Sequence, residues 1–111
     1  MSIFTKIIHR EIPADIVYED EQCVAFRDIQ PVAPVHILVV PKKEITSVDA
    51  LTEEDVPLVG HIFLVIQKLA AEQGLVNGYR VVTNCGPDSG QTVFHLHFHL
   101  LGGRKFDASP G

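Results

Sequence analysis

The longest alternating segment of the chain covers residues 92–101, and three of its members, His95, His97 and His99, are histidines spaced two apart. A period of two belongs to a β-strand, whose successive side chains point to opposite faces. The three imidazoles are therefore expected on one face, with Phe94, Leu96, Phe98 and Leu100 on the other. Alternate residues on a strand lie roughly 6.6–6.8 Å apart, so the middle ring is within reach of groups held by both neighbours. Such a segment needs a sheet to pair with and an apolar layer beneath its far face.

The remaining sequence supplies both. VHILVV at 35–40 is β-branched and nearly continuous, which reads as a buried central strand closed by Pro41. Ile16–Glu19 and Cys23–Arg27 flank an acidic turn and read as a hairpin. Residues 28–34 hold two prolines and read as a loop, 79–84 as a further strand, and 86–90 as a turn. Ile3, Phe4, Ile7 and Ile8 are spaced for a short helix over 3–10, stopped by Pro13. A long helix is expected to begin at Thr52 or Asp55 and to reach Gln73, with Gly74 as its stop. Its main stripe is Val59, Ile62, Phe63, Ile66, Leu69 and Ala70, and Leu58, Leu64 and Val65 add more apolar surface than one contact needs. That surplus fits either a second subunit or a helix buried on several sides. The order of elements suits an α+β domain with one antiparallel sheet and helices packed on it.

At 111 residues the chain makes one domain, 1–111. With 46% hydrophobic and 21% charged residues it is globular rather than disordered. A net charge of −5 argues against a broad nucleic-acid footprint. Two cysteines, Cys23 and Cys85, exclude a disulfide-stapled miniprotein and suit a reducing compartment. The opening run MSIFTKIIHREIP has no long apolar stretch, so no secretory signal is read there, and the run 62–66 is too short to span a bilayer. A soluble, cytoplasmic chain with no membrane partner is the expectation.

The histidines admit three readings. A lone His such as His9 or His61 is most simply a satisfied core or surface residue, but three in strict alternation plus His36 within VHILVV fit that poorly. A metal site is the second reading, since histidines two apart on a strand can both ligate zinc; no Asp, Glu or Cys between Asp88 and Asp107 completes it, which leaves His36 or a distant residue to do so. The third is nucleophilic catalysis by His97, whose neutral ring attacks with one nitrogen while the other keeps its proton on an acceptor. Attack on phosphorus gives a more durable intermediate than attack on a carbonyl. The preceding Ser89, Gly90, Gln91 and Thr92 offer backbone N–H groups, a glycine and hydroxyls suited to phosphate oxygens.

The run His95-Leu96-His97-Phe98-His99-Leu100-Leu101 resembles the signature of the histidine triad (HIT) superfamily, His-φ-His-φ-His-φ-φ with φ apolar. KIIHREIPADIVYEDEQCVAFRDIQPVAPVHILVVPKK and GYRVVTNCGPDSGQTVFHLHFHLLGGR are similar to the Hint branch, the nucleoside phosphoramidases, over nearly the whole chain. The resemblance implies a HIT-like fold with about five antiparallel strands, one long and one short helix, and a homodimer. It implies hydrolysis of the P–N bond of purine nucleoside 5′-phosphoramidates, through a nucleotidyl-histidine, releasing AMP or GMP and an amine. His97 would be the nucleophile, and His99 would contact the phosphate and help protonate the amine. His95 and His36 would orient the others, with the His95 carbonyl taking the remaining N–H of His97. Asn84, Gly90, Gln91 and Thr92 match phosphate-site positions, Asp28 the acid that holds the ribose hydroxyls, and Phe4, Ile7, Phe26, Ile29 and Leu38 an apolar base slot. No metal or cofactor is implied. Thr92 stands where many relatives carry Ser, and the tail from Arg104 onward lacks the tryptophan some relatives have. A dinucleoside polyphosphate hydrolase, a nucleotide-binding interaction protein and a metal-binding protein are the competing functions.

Overall fold

This computed structural model describes residues 2–110; Met1 and Gly111, the ends of the expected domain, lie outside them. Ser2 caps the short helix α1 (Ile3–Ile8), its Oγ accepting the Thr5 N–H at 3.1 Å. The helix ends two residues before the expected Arg10, because Arg10 turns to a positive φ of 62° that no helix can continue. Strands β1 (Ile16–Glu19), β2 (Cys23–Arg27) and β3 (Val35–Pro41) follow. The long helix α2 (Val56–Glu72) comes next, then β4 (Arg80–Val82) and β5 (Phe98–Gly102). The five strands form one antiparallel sheet in the order β1-β2-β3-β5-β4, the α+β architecture expected.

Strand parity sorts the side chains of β2 and β3. Cys23, Ala25, Ile37 and Val39 join Ile62, Val65, Ile66 and Leu69 of α2 in the larger apolar core. Val24, Phe26, Leu38 and Val40 face the other way and pack with Phe4 and Ile7 of α1. The buried side of α2 reads Ile62, Val65, Ile66, Leu69 and Ala70, at alternating steps of three and one. Phe63, expected in that stripe, lies at its border next to Ala70 in helical angle and is 47% exposed, its ring edge resting on Phe98 at 5.5 Å. At the start of α2 the Asp55 carboxylate accepts the Thr52 N–H at 3.0 Å and meets Lys43 Nζ at 2.5 Å.

The alternating segment is only partly a ladder strand. Residues 92–97 precede β5, and the Leu96 N–H donates instead to the carbonyl of Ile45 at 2.6 Å. The alternation of sides survives from residue 96 onward, since Leu96, Phe98 and Leu100 all enter the α2 core. Phe94 does not, and stands half exposed. No helix among the described residues is long and apolar enough to cross a membrane.

Candidate active site

Four imidazoles gather on the α1 side of the sheet. Register pairs Leu38 with His99 and His36 with Leu101, which brings β3 and β5 side by side at the histidines. The rings of His97 and His99 have centroids 5.1 Å apart, and so do those of His36 and His99. Phe4 of α1 sets its ring edge against His97 at 4.9 Å and against Phe26 at 5.5 Å.

The hydrogen bonds determine which nitrogen of each ring carries the proton. A carbonyl only accepts, so His97 Nδ1, 2.7 Å from the His95 carbonyl, is an N–H, and its Nε2 keeps a lone pair. His95 Nε2 likewise donates to the Pro41 carbonyl at 2.8 Å, leaving its Nδ1 to accept from Ser2 Oγ at 3.0 Å. The Val32 N–H donates to His36 Nδ1 at 3.2 Å, so the His36 proton sits on Nε2 and points at His99 Nδ1, 2.8 Å away. Asp28 Oδ2 lies 3.4 Å from the same His36 Nε2, while its Oδ1 accepts the Gln30 N–H at 2.8 Å. Among the described residues no buried side-chain N or O lacks a partner.

Burial disfavours charge on these rings. It holds His97 below the usual imidazole range, against the His95 carbonyl and Asp28, which push the other way. His99 falls to about 4, through burial first and then the neighbouring His97 and His36. Burial also lowers His36, with Asp28 partly offsetting it. Burial thus favours the neutral form of His36, His97 and His99, and the Nδ1–H bond leaves His97 with a lone pair on Nε2.

Ile29 and Gln91 differ from the rest of the expected site in their surroundings. Ile29 is 93% exposed and stands outside the apolar cluster that Phe4, Ile7, Phe26 and Leu38 share with Val24 and Val40. It follows Asp28 in the proline-rich loop, beyond the end of β2, where no strand pairing turns it inward. Gln91 is 4% exposed and braces its own loop: Oε1 accepts the Gly86 N–H at 2.7 Å, and Nε2 donates to the Thr46 and Val93 carbonyls. The N–H groups of Ser89, Gly90 and Gln91 are turned onto Gly86 and Pro87 carbonyls within that turn. In the free chain these amides are therefore engaged within the turn. Thr92 is exposed, and among the described residues nothing bonds its hydroxyl or amide, so it and the half-buried Asn84 remain as polar groups of that rim. Thr83 was missed by sequence reasoning. Its Oγ1 donates to the His97 carbonyl at 2.8 Å, clamping the backbone on which the ring is mounted. Ser2 and the Val32 amide were missed too, and nothing local in the sequence marks either one. A concave volume of about 760 Å³ lies elsewhere, lined by residues 74–80 and 103–107 and by none of the triad histidines.

Two groups bring metal-binding atom types within 4.8 Å of one another: Asp28 with His36 and His99, and Asp20 with Cys23 and His61. In the first, His36 Nε2 and His99 Nδ1 already share a proton, and a cation needs both lone pairs. In the second, Asp20 accepts from Tyr18, His61 and the amides of Gln22 and Cys23, pinning the hairpin turn to α2. Burial there pushes the Cys23 thiol up to about 12, far from the thiolate a metal requires.

The HIT domain family model matches residues 9–106. This chain belongs to the HIT domain family. A HIT-like protein of Synechococcus elongatus, itself described as uncharacterized, is 58% identical over 99% of this chain and 96% of its own. A HIT family hydrolase from Legionella pneumophila superposes with a TM-score of 0.97 at 45% identity, covering 100% of both chains. A histidine triad nucleotide-binding protein from Candida albicans is 31% identical, with a TM-score of 0.82 over 100% of this chain and 86% of that one. The fold is that of HIT family hydrolases, and the row His95, His97, His99 is the triad for which the family is named.

Proposed function

We propose that this chain hydrolyses purine nucleoside 5′-phosphoramidates, releasing AMP or GMP and an amine through a nucleotidyl-His97 intermediate. The observation that carries the reading is the state of His97: Nδ1 held as N–H on the His95 carbonyl at 2.7 Å, Nε2 carrying the free lone pair. Neutral at physiological pH by burial, that nitrogen is a nucleophile without any activating base.

Balanced steps follow. The anionic phosphoryl group of the substrate brings charge that favours the protonated form of His99, which is neutral in the free site. The His97 Nε2–P bond forms and the P–N bond breaks, its electron pair leaving with the amine, which takes the Nε2 proton of His99. Water then attacks phosphorus and gives its proton to His99, and the P–Nε2 electron pair returns to His97. Asp28 is suited to the ribose hydroxyls, and Thr92 and Asn84 to phosphoryl oxygens. The exposed Val56, Phe63 and Leu64 of α2 and the edge strand β4 support a homodimer. The two free cysteines are in keeping with a cytoplasmic chain. The test is to acid-quench the protein during turnover of adenosine 5′-phosphoramidate and weigh it intact. One nucleotidyl group on the wild type and none on His97→Ala is expected; an unmodified wild type during active turnover sinks the covalent route.

A further inference from the structure

We infer that a backbone amide outside the triad, the N–H of Val32, sets the tautomer of His99 through His36, so that the free site holds His99 with its proton on Nε2. The inference deepens the proposed reaction, on which its catalytic consequence rests, by naming the positioning groups behind the acid.

The chain of donors runs one way. An amide N–H can only donate, so the 3.2 Å contact from Val32 makes His36 Nδ1 an acceptor. A neutral imidazole has one proton, and that of His36 is thereby confined to Nε2. At 2.8 Å from His36 Nε2, His99 Nδ1 must then accept, and the single proton of neutral His99 is left on Nε2. The reverse arrangement, His99 with its proton on Nδ1, would set two N–H groups against each other or leave the Val32 amide without its acceptor. Val32 is itself fixed: its carbonyl accepts from Arg104 Nε at 3.3 Å and Nη2 at 3.2 Å, tying the proline-rich loop to the chain just after β5. His36 is 6% exposed and sits in the β3 ladder, so neither partner drifts freely. Asp28 Oδ2, at 3.4 Å from His36 Nε2, and the His97 ring, 5.1 Å from that of His99, are the other titratable groups facing this relay.

The consequence is functional. With the proton on Nε2, neutral His99 meets the arriving phosphoryl group with a donor, and with it on Nδ1 that edge would offer only a lone pair. Val32 and His36 are thus positioning residues, since they act through His99.

The experiment is a long-range proton–nitrogen correlation of uniformly 15N-labelled full-length protein near pH 7.5. We expect His97 as the Nδ1–H form and His36, His95 and His99 as Nε2–H forms; His99 as Nδ1–H, or averaged between forms, overturns the inference. Val32→Pro removes the donor while keeping the carbonyl that Arg104 holds, and should return His99 to a mixture, lowering adenosine 5′-phosphoramidate turnover by about two- to tenfold as the competent fraction falls. A pure Nε2–H signal in a folded Val32→Pro chain overturns the role of Val32. If that variant fails to fold, the pair His36→Gln and His36→Leu decides. Gln keeps a donor toward His99 Nδ1 and should retain the Nε2–H signal, Leu should lose it, and equal behaviour overturns the relay. Because the tautomers are read without substrate, a wild type with the expected spectrum and no phosphoramidate turnover defeats the proposed reaction while leaving the relay in place.

Discussion

The two faces of the sheet are built from the same strands and do different work. On the α2 face, Ile37 and Val39 of β3 and Phe98 and Leu100 of β5 meet a 17-residue helix in a purely apolar layer. On the α1 face, β3 contributes Leu38 and His36, β5 contributes His99, and the covering helix has 6 residues. A slip of one residue in the register of β5 would exchange the two sets and turn His99 toward α2. Stability and chemistry are separated by parity alone, so substitutions on neighbouring residues should affect one property and spare the other.

The largest effect should come from the chemical face. His97→Ala should lower turnover of an adenosine 5′-phosphoramidate by on the order of 10³-fold or more, because the nucleophile is gone. Its melting temperature should change little, and turnover of the wild type should survive EDTA. Retained turnover in the variant would falsify the nucleophile assignment; loss of wild-type activity with chelator would move the reading to a metal enzyme.

On the opposite face the pattern inverts. Ile66 of α2 is 1% exposed, and Ile66→Ala should cost about 2–5 kcal/mol in urea unfolding through lost burial and a cavity. In the fraction that stays folded, kcat should be close to that of the wild type. A variant equally damaged in both measurements would break the separation of faces. Phe4 tests the border between them, since its ring touches Phe26 and His97 together. Phe4→Leu should cost about 1 kcal/mol from the lost aromatic edges and raise KM several-fold, and a change in stability alone would reduce Phe4 to packing.

The same comparison explains what could be read before the structure was known. The apolar face was legible almost residue by residue, because burial against one helix imposes a local period of two on strands and 3.6 on α2. Phe63 was misassigned because the stripe of a real helix is set by its partner surface, not by composition. The polar face was legible in its residue types and less so in its contacts. His95, His97 and His99 declared themselves by spacing and His36 by its place in an apolar strand, whereas the donors that orient them arrive from afar: Val32 by its amide, Thr83 by a hydroxyl and Ser2 from the far end of the chain. Backbone donors have no side-chain signature. Gln91 and Ile29 show the converse, since a polar residue turned inward and an apolar one turned outward are both decided by loop geometry that no period encodes.

The smallest predicted effect is on stability against pH, and it too belongs to the histidine face. Burial and two neighbouring rings hold His99 at about 4 in the folded chain, against 6.5 for an ordinary imidazole. Between those values the unfolded chain binds a proton that the folded chain does not, so stability rises with pH across that window. The contribution is complete above about 6.5 and is lost as the pH falls toward 4; His36 and His97, also lowered, act in the same direction. The melting temperature should therefore fall by on the order of 5 °C between pH 7 and pH 4.5. Glu19 and Asp55, held below their usual values of 4.5 and 3.8, add their losses mainly beneath that window, so the two sources separate on the pH axis. His99→Asn keeps a polar partner for His36 and removes the titrating ring. Its curve should be flatter from pH 6.5 to 4.5 and parallel to the wild type above, and identical slopes in the two chains would mean that the acid sensitivity arises away from the triad.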